Sequence, residues 1–401
     1  MTATQDLRER FTDALMPNYG TPGVALSHGD GTTVYDVDGN EYLDFIGGIA
    51  VSALGHAHPA LVTAVSEQVA RIAHTSNLFL HEPEVALAEK LLSLVGEPGK
   101  VFFSNSGTEA NECALKLAIA NGKAKGRTYF VASTDGFHGR SMGALALTGK
   151  AAIREPFAPF GIDVRFVPYG DAAALNDAVD ESCAAVILEP TQGETGVVPP
   201  PEGYFAAVRD ICDTTGALFI ADEIQSGIGR TGTWFAYQQT GIVPDVVTLA
   251  KGLGGGLPIG ACIGIGAYGD VFAKGDHGST FGGNPVATAA ALAVLDTIES
   301  DKLTEAAADK GKRLAEGIRA LNHPLVAEVR GKGLWLGVEL TAEVAADVDS
   351  TLRSSGVLAN PVRPNVIRLA PPLVVTDAQI DAFLSVLPRA LDAAYPPGGR
   401  P

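Results

Sequence analysis

Short apolar runs rich in Val, Ile, Phe and Ala recur through the first two thirds of the chain, at 101–103, 128–132, 164–167, 184–188, 217–221, 246–249 and 261–263. Runs this short and bounded by turn residues predict core strands, and only that at 164–167 holds a charge, Arg165. Longer stretches between them, notably 108–121, 201–215 and 285–299, have helical periodicity. Strands alternating with helices predict an α/β fold with a mostly parallel seven-stranded sheet covered by helices. Beyond about residue 290 the pattern becomes helical and charged, then returns to β character at 333–340 and 366–369, which predicts a smaller α+β domain. The first 45 residues carry turn signals at 29–31 and 38–40 and read as a hairpin region packing on that smaller domain. The expected organisation is therefore 1–45 as an N-terminal segment, 46–290 as the large domain and 291–401 as the small one. The closing stretch Pro396-Pro397-Gly398-Gly399-Arg400-Pro401 predicts a frayed tail.

Composition narrows the function. A chain of 401 residues, 46% hydrophobic and 19% charged, has enough apolar surface for a large buried core. Its formal charge of -17 disfavours nucleic acid and anionic membranes as partners, while local arginines leave an anionic small substrate open. Cys113, Cys183, Cys212 and Cys262 are scattered without a CxxC pair, which predicts neither a metal site nor a disulfide framework but reduced, cytoplasmic thiols. The polar, acidic N-terminus does not look like a signal or transit peptide. Residues 252–269 carry no charge, yet their glycines and Pro258 predict a buried loop and strand rather than a membrane span.

Two of the apolar runs end in charge. Asp222 follows 217–221, and Lys251 follows 246–249 at the start of a glycine-dense turn. Ligands of open α/β sheets gather at the carboxyl ends of strands, so these two side chains can converge on one molecule. A lysine offers a Schiff-base amine and an aspartate a partner for a pyridinium nitrogen, which suggests pyridoxal phosphate. The ordinary alternatives are an aspartate capping the next helix and a lysine reaching for solvent.

Other motifs sit at the same sheet edge. Ser104-Asn105-Ser106-Gly107-Thr108-Glu109 opens a helix, as either a phosphate cup or a capping box of Ser106 with Glu109. Neither a GxGxxG fingerprint nor a P-loop lysine is present there. Asp135-Gly136-Phe137-His138-Gly139-Arg140 supplies a stacking face in Phe137 and a carboxylate donor in Arg140, with His138 read as a structural hydrogen-bonding residue. The run from Glu189 to Gly196 adds two acids, Glu189 and Glu194, and Gln192. His277 to Pro285 offers hydroxyls at Ser279 and Thr280, for phosphate or for helix capping, and Arg368 lies inside an apolar run.

Taken in order, these segments closely resemble the class III, or subgroup II, aminotransferases of PLP fold type I. The resemblance runs from Val34-Tyr35-Asp36 to Pro371-Pro372-Leu373, and within the family it is strongest for the branch acting on N-acetylornithine. It implies that Lys251 is the Schiff-base lysine and Asp222 the partner of the pyridine nitrogen. It further implies a cofactor site of Ser106, Gly107, Thr108, Phe137, His138, Glu223, Ile224 and Gln225. Thr280 would reach the phosphate from the neighbouring subunit of a homodimer, with Ser279 beside the substrate. Arg140 and Arg368 would hold carboxylates, and Glu194 would pair with Arg368 while the diamine-derived substrate is bound.

The implied reaction moves the terminal amino group of N2-acetyl-L-ornithine to 2-oxoglutarate, in arginine biosynthesis. Ile49 stands where ornithine aminotransferases carry a tyrosine and cannot supply a polar partner for a free α-amino group, which favours an N-acylated diamine. Succinylornithine, N-succinyl-diaminopimelate, ornithine and 4-aminobutyrate remain alternative substrates. An aminomutase, against which the Glu194 and Arg368 pair argues, and a non-enzymatic anion- or nucleotide-binding α/β protein are the alternative classes.

Overall fold

A computed structural model of the chain describes residues 2–395; the tail from Pro396 lies outside the described residues. Its centre is a seven-stranded sheet in the spatial order Gly99–Ser104, Gly260–Ile265, Val246–Leu249, Leu218–Asp222, Cys183–Leu188, Tyr129–Ser133, Asp163–Val167. Gly260–Ile265 runs antiparallel to both its neighbours, and the other neighbouring strands pair in parallel. Cys183–Leu188, Leu218–Asp222 and Val246–Leu249 are buried at every position, as helices on both faces require. The α/β fold expected from the sequence is thus present, with the predicted runs falling on its strands.

A second, antiparallel sheet orders Val326–Lys332, Trp335–Leu340, Val366–Leu369 and Asn360–Arg363. The β pattern at 333–340 is in fact the second arm of a hairpin that turns at Gly333 and Leu334. The N-terminal hairpin region is present as Leu26–Asp30, Thr33–Asp36 and Glu41–Asp44, and Val357–Leu358 joins its last strand in parallel. Ahead of it comes a helix, Ala3–Ala14, that the sequence reading did not predict. Its start is marked by a Thr2–Gln5 capping box, a signal legible in the sequence. The helix Pro285–Ser300 crosses the division expected near residue 290 and packs on Pro59–Arg71 and Glu82–Val95. One continuous apolar core runs from Phe45 through these helices to Leu391 and joins the large sheet to the C-terminal one.

Candidate active site

The register of the central sheet puts Asp222 opposite Thr248 of the adjoining strand, three residues before Lys251. Both side chains line one cavity of about 410 Å³ at the carboxyl ends of the strands. Ser106, Gly107, Thr108, Phe137, His138, Arg140, Glu194, Ile224 and Gln225 line it too. Lys251 occupies a left-handed backbone position, φ 42°, just before Gly252. No described residue takes a hydrogen bond or salt bridge from its amine. Burial, reinforced by the charge of Arg368, pushes that amine down to about 8 against the opposing pull of Glu194, Glu189 and Asp222.

Asp222 is almost fully buried, and three fixed donors hold its carboxylate while leaving room on Oδ1 for one more. Oδ2 accepts from Asn111 Nδ2 at 2.8 Å and from His138 Nδ1 at 2.7 Å, and Oδ1 accepts from the Ile224 N–H at 3.1 Å. No regular helix follows Asp222, so helix capping does not explain it. His138 is bound to the carboxylate, as a structural histidine would be. Asn111, which also donates to the His138 carbonyl at 2.7 Å, was not singled out from the sequence. Its signal was present: it falls on the buried stripe of its helix with Ala110, Ala114, Leu115 and Ala118.

The 17-residue helix Gly107–Lys123 begins at the wall of the same cavity. The first N–H groups of a helix lack partners within it and carry positive potential. Ser106 caps the helix by accepting from the Glu109 N–H at 3.3 Å, while Glu109 Oε2 turns back to the Asn105 N–H at 2.6 Å. Ser106 therefore caps the helix, while Glu109 bonds the Asn105 N–H rather than the N–H of Ser106 as a capping box would, and Gly107 leaves the first turn without a side chain. A Cβ on Gly107 would come within 2.8 Å of the Ile224 side chain. Thr108 Oγ1 accepts from the N–H groups of Arg140 and Ser141, at 3.2 and 3.1 Å, joining the cup to the Phe137 turn.

Arg368, from the antiparallel sheet, is only 2% exposed. It donates to Glu194 at 2.9 Å, to the Gly193 carbonyl at 3.2 Å and to Gln225 Oε1 at 3.4 Å, and its other nitrogens reach Asn360 Oδ1 at 2.7 and 3.0 Å. Burial alone would raise the Glu194 carboxyl, but the charge and hydrogen bond of Arg368 outweigh it and hold Glu194 below the usual carboxylate range. Arg140 is exposed at the cavity wall, with its guanidinium 5.8 Å from the Phe137 ring centre.

Five of the residues expected at the site do not line this cavity. Arg368 stands behind Glu194. Glu223 turns away, bonding Ser226 Oγ at 2.6 Å and the Tyr237 N–H at 2.7 Å. Ser279 accepts from Asn105 Nδ2 at 3.1 Å just outside, and Thr280 follows it. Ile49 projects partly into solvent, although its carbonyl accepts from Gln225 Nε2 at 3.5 Å. It belongs to a left-handed turn, with φ of 55°, 63°, 64° and 62° at Gly47, Gly48, Ile49 and Ala50, a strained conformation for a β-branched residue. Val51, two positions on, lines the cavity instead, and so does Glu189; neither had been assigned a role.

The donor set suits one kind of molecule: a flat ring with an anion at one side, an acidic ring nitrogen at the other and a carbonyl that an amine can attack. Among the described residues no cluster of His, Cys, Asp and Glu could hold a metal ion. Comparison with known proteins agrees with this geometry. Residues 15–391 match the family model for class-III aminotransferases. The acetylornithine aminotransferase of Mycobacterium tuberculosis is 55% identical over 395 residues, covering 98% of each chain. The ornithine aminotransferase of Toxoplasma gondii superposes with a TM-score of 0.94 at 32% identity, covering 98% of this chain and 96% of that one. The N-acetylornithine aminotransferase of Stenotrophomonas maltophilia gives a TM-score of 0.83 at 36% identity, over 94% and 98%. This chain belongs to the class-III aminotransferases.

Proposed function

We propose that this enzyme uses pyridoxal 5'-phosphate to transfer the terminal amino group of N2-acetyl-L-ornithine to 2-oxoglutarate, giving N-acetyl-L-glutamate 5-semialdehyde and L-glutamate in arginine biosynthesis. The observation that carries the reading is Arg368 covered at 2.9 Å by Glu194, which lines the same cavity as Lys251. Acetylornithine brings one carboxylate and a neutral acetamide, whereas glutamate brings two carboxylates. An arginine capped by a removable carboxylate serves both: covered, it presents no surplus charge to the first substrate, and uncovered, it binds the second.

Ser106, Gly107 and Thr108 at the helix end would hold the phosphate, Phe137 would face the ring, and Asp222 and Gln225 would bond its nitrogen and its phenolic oxygen. When bound, the cofactor supplies an electron sink for the carbon that loses a proton. Asp222 keeps a proton on the ring nitrogen, and its own hydrogen bonds from Asn111 and His138 fix the carboxylate in place. Lys251, whose amine burial holds below the ordinary lysine range, would serve as the base and acid that moves the proton from the substrate carbon to the cofactor. Arg140 would orient the far carboxylate of the substrate.

A homodimer completes the reading. Leu78, Phe79, Leu80 and Phe281 are all exposed, and Asn77 ties their segments together by donating to the carbonyls of Ser279 and Gly282, both at 3.3 Å. Thr280 lies on this apolar face, pointing to a second copy that would cover the patch and receive Thr280 at its phosphate cup. Four free, buried cysteines suit the reducing cytoplasm. The test is a half-reaction panel that follows the cofactor spectrum with acetylornithine, ornithine, succinylornithine, N-succinyl-diaminopimelate and 4-aminobutyrate. Acetylornithine should give the highest rate constant per unit concentration, and a clear preference for any of the others would overturn the substrate assignment.

A further inference from the structure

Glu189 follows the strand Cys183–Leu188 into the cavity and takes no part in the chemistry above. It is 6% exposed, and its two oxygens serve two different loops. Oε1 accepts the Phe137 N–H at 2.9 Å, and Oε2 accepts the Gly193 N–H at 3.1 Å. A buried carboxylate is retained at a cost that such bonds must offset, and removing one acceptor leaves a buried N–H unsatisfied. The loop between Gln192 and Gly196 is fastened on both sides. Gln192 Nε2 donates to Ser133 Oγ and the Thr134 carbonyl, both at 2.9 Å, and Thr195 Oγ1 donates to the Asp135 carbonyl at 3.3 Å. From the other sheet, Arg368 and Arg330 donate to the carbonyls of Gly193 and Gly196 at 3.2 and 3.1 Å. A Cβ on Gly193 would meet Gln225 Oε1 at 1.7 Å, so this backbone is packed as closely as a glycine allows. The Glu194 side chain, by contrast, is 28% exposed.

We propose that Glu189 is a positioning residue that locks the backbone carrying Glu194, so that Glu194 covers and uncovers Arg368 by side-chain rotation alone, while the same carboxylate fixes Phe137 at the ring. The inference rests on the functional reading above. Rotation of a partly exposed side chain takes picoseconds to nanoseconds, whereas loop rearrangement is slower, so the two half-reactions can share one rigid backbone.

Hydrogen exchange on the wild-type holoenzyme tests the lock directly. The Phe137 and Gly193 amides should exchange slowly, and protection over 189–197 should be the same with glutamate as with N-acetylornithine; loss of protection with either substrate overturns the proposal. In Glu189→Gln the amide group faces one of the two N–H donors. Its N-acetylornithine half-reaction should fall about tenfold, the cost of one unsatisfied buried donor, with the glutamate half-reaction within roughly threefold and the visible circular dichroism of the bound cofactor altered. Equal losses in both half-reactions with unchanged dichroism would mean a merely structural residue and would overturn it as well. If Glu189→Gln does not fold, the exchange measurement decides alone. Failure of the wild type to use N-acetylornithine would instead sink the substrate assignment, leaving the exchange of the two amides as a separate result.

Discussion

Arg368 and Glu194 meet at 2.9 Å although one comes from the small antiparallel sheet and the other from the loop that leaves the central sheet after Cys183–Leu188. The pair is unequal. Arg368 is buried and anchored a second time on Asn360, whereas Glu194 is partly exposed and bonds no other described residue. When the two separate, the carboxylate is the member that moves.

Arg368→Ala should therefore discriminate between substrates. Glutamate and 2-oxoglutarate lose a buried carboxylate anchor worth about 2–4 kcal/mol, or roughly 30- to 1000-fold in kcat/KM. Acetylornithine, which meets Arg368 only in its covered state, should lose far less. Separate kcat/KM values for the two half-reactions measure this, and equal losses contradict the assigned role.

Glu194→Gln should act in the opposite sense. An uncovered arginine confronts the neutral end of acetylornithine with an unpaired buried charge, so that half-reaction should weaken by roughly tenfold or more. The glutamate half-reaction, freed from competition by the carboxylate, should keep or improve its kcat/KM. Stopped-flow titration of each half-reaction gives both constants.

Part of this arrangement is legible in the sequence, because strand-end residues announce themselves: Asp222 and Lys251 each follow a charge-free run, although the pairing that sets Asp222 opposite Thr248 comes only from the fold. Arg368 is visible as a charge inside an apolar run, which by itself leaves open a buried pair or an edge strand facing solvent. Contacts made by folding were less legible. Asn111 looked like an ordinary polar residue of a helix until Asp222 and the His138 carbonyl closed on it. Glu223 looked equivalent to its neighbours, but the strand's alternation of faces sends it away, toward Tyr237. The left-handed turn at 47–50 has no clear sequence signal, since only two of its four residues are glycine.

Lys251 gives the site a pH dependence. Its folded value of about 8 lies below the ordinary lysine value of about 10.4. Between those limits the unfolded chain binds a proton that the folded apo-protein does not, so stability rises with pH through this window. Below about 8 the buried amine is charged and the full penalty applies. The apo-protein should capture pyridoxal phosphate faster as pH rises, levelling off above about 8, because the neutral amine is the nucleophile. Capture rates followed by absorbance from pH 6 to 10 test this; a rate independent of pH would contradict it.

Leu80 is 93% exposed on the apolar face shared with Phe281, and it offers a test of the second copy. Leu80→Asp places a charge where a partner would bury hydrocarbon, and should shift the protein toward monomer in sedimentation. Because the cup would then lose the neighbour's Thr280, pyridoxal phosphate should bind about tenfold more weakly, as expected for one hydrogen bond to a charged group. A monomeric variant with undiminished cofactor affinity would remove Thr280 from the site.

Ile49 links backbone strain to substrate choice. Its carbonyl accepts from Gln225 Nε2 at 3.5 Å, and its left-handed turn is held by Asp44 Oδ1, which accepts the N–H groups of Ile46 and Gly47 at 3.0 and 2.8 Å. Tyrosine is not branched at Cβ and should tolerate φ 64° at least as well as isoleucine, so Ile49→Tyr should fold with little change in Tm. Its hydroxyl would give a free α-amino group the partner that Ile49 withholds. One such hydrogen bond is worth about 1–1.5 kcal/mol, so the ratio of kcat/KM for ornithine over acetylornithine should rise roughly tenfold. An unchanged ratio in a well-folded variant would move the discrimination from Ile49 to Val51, which already lines the cavity.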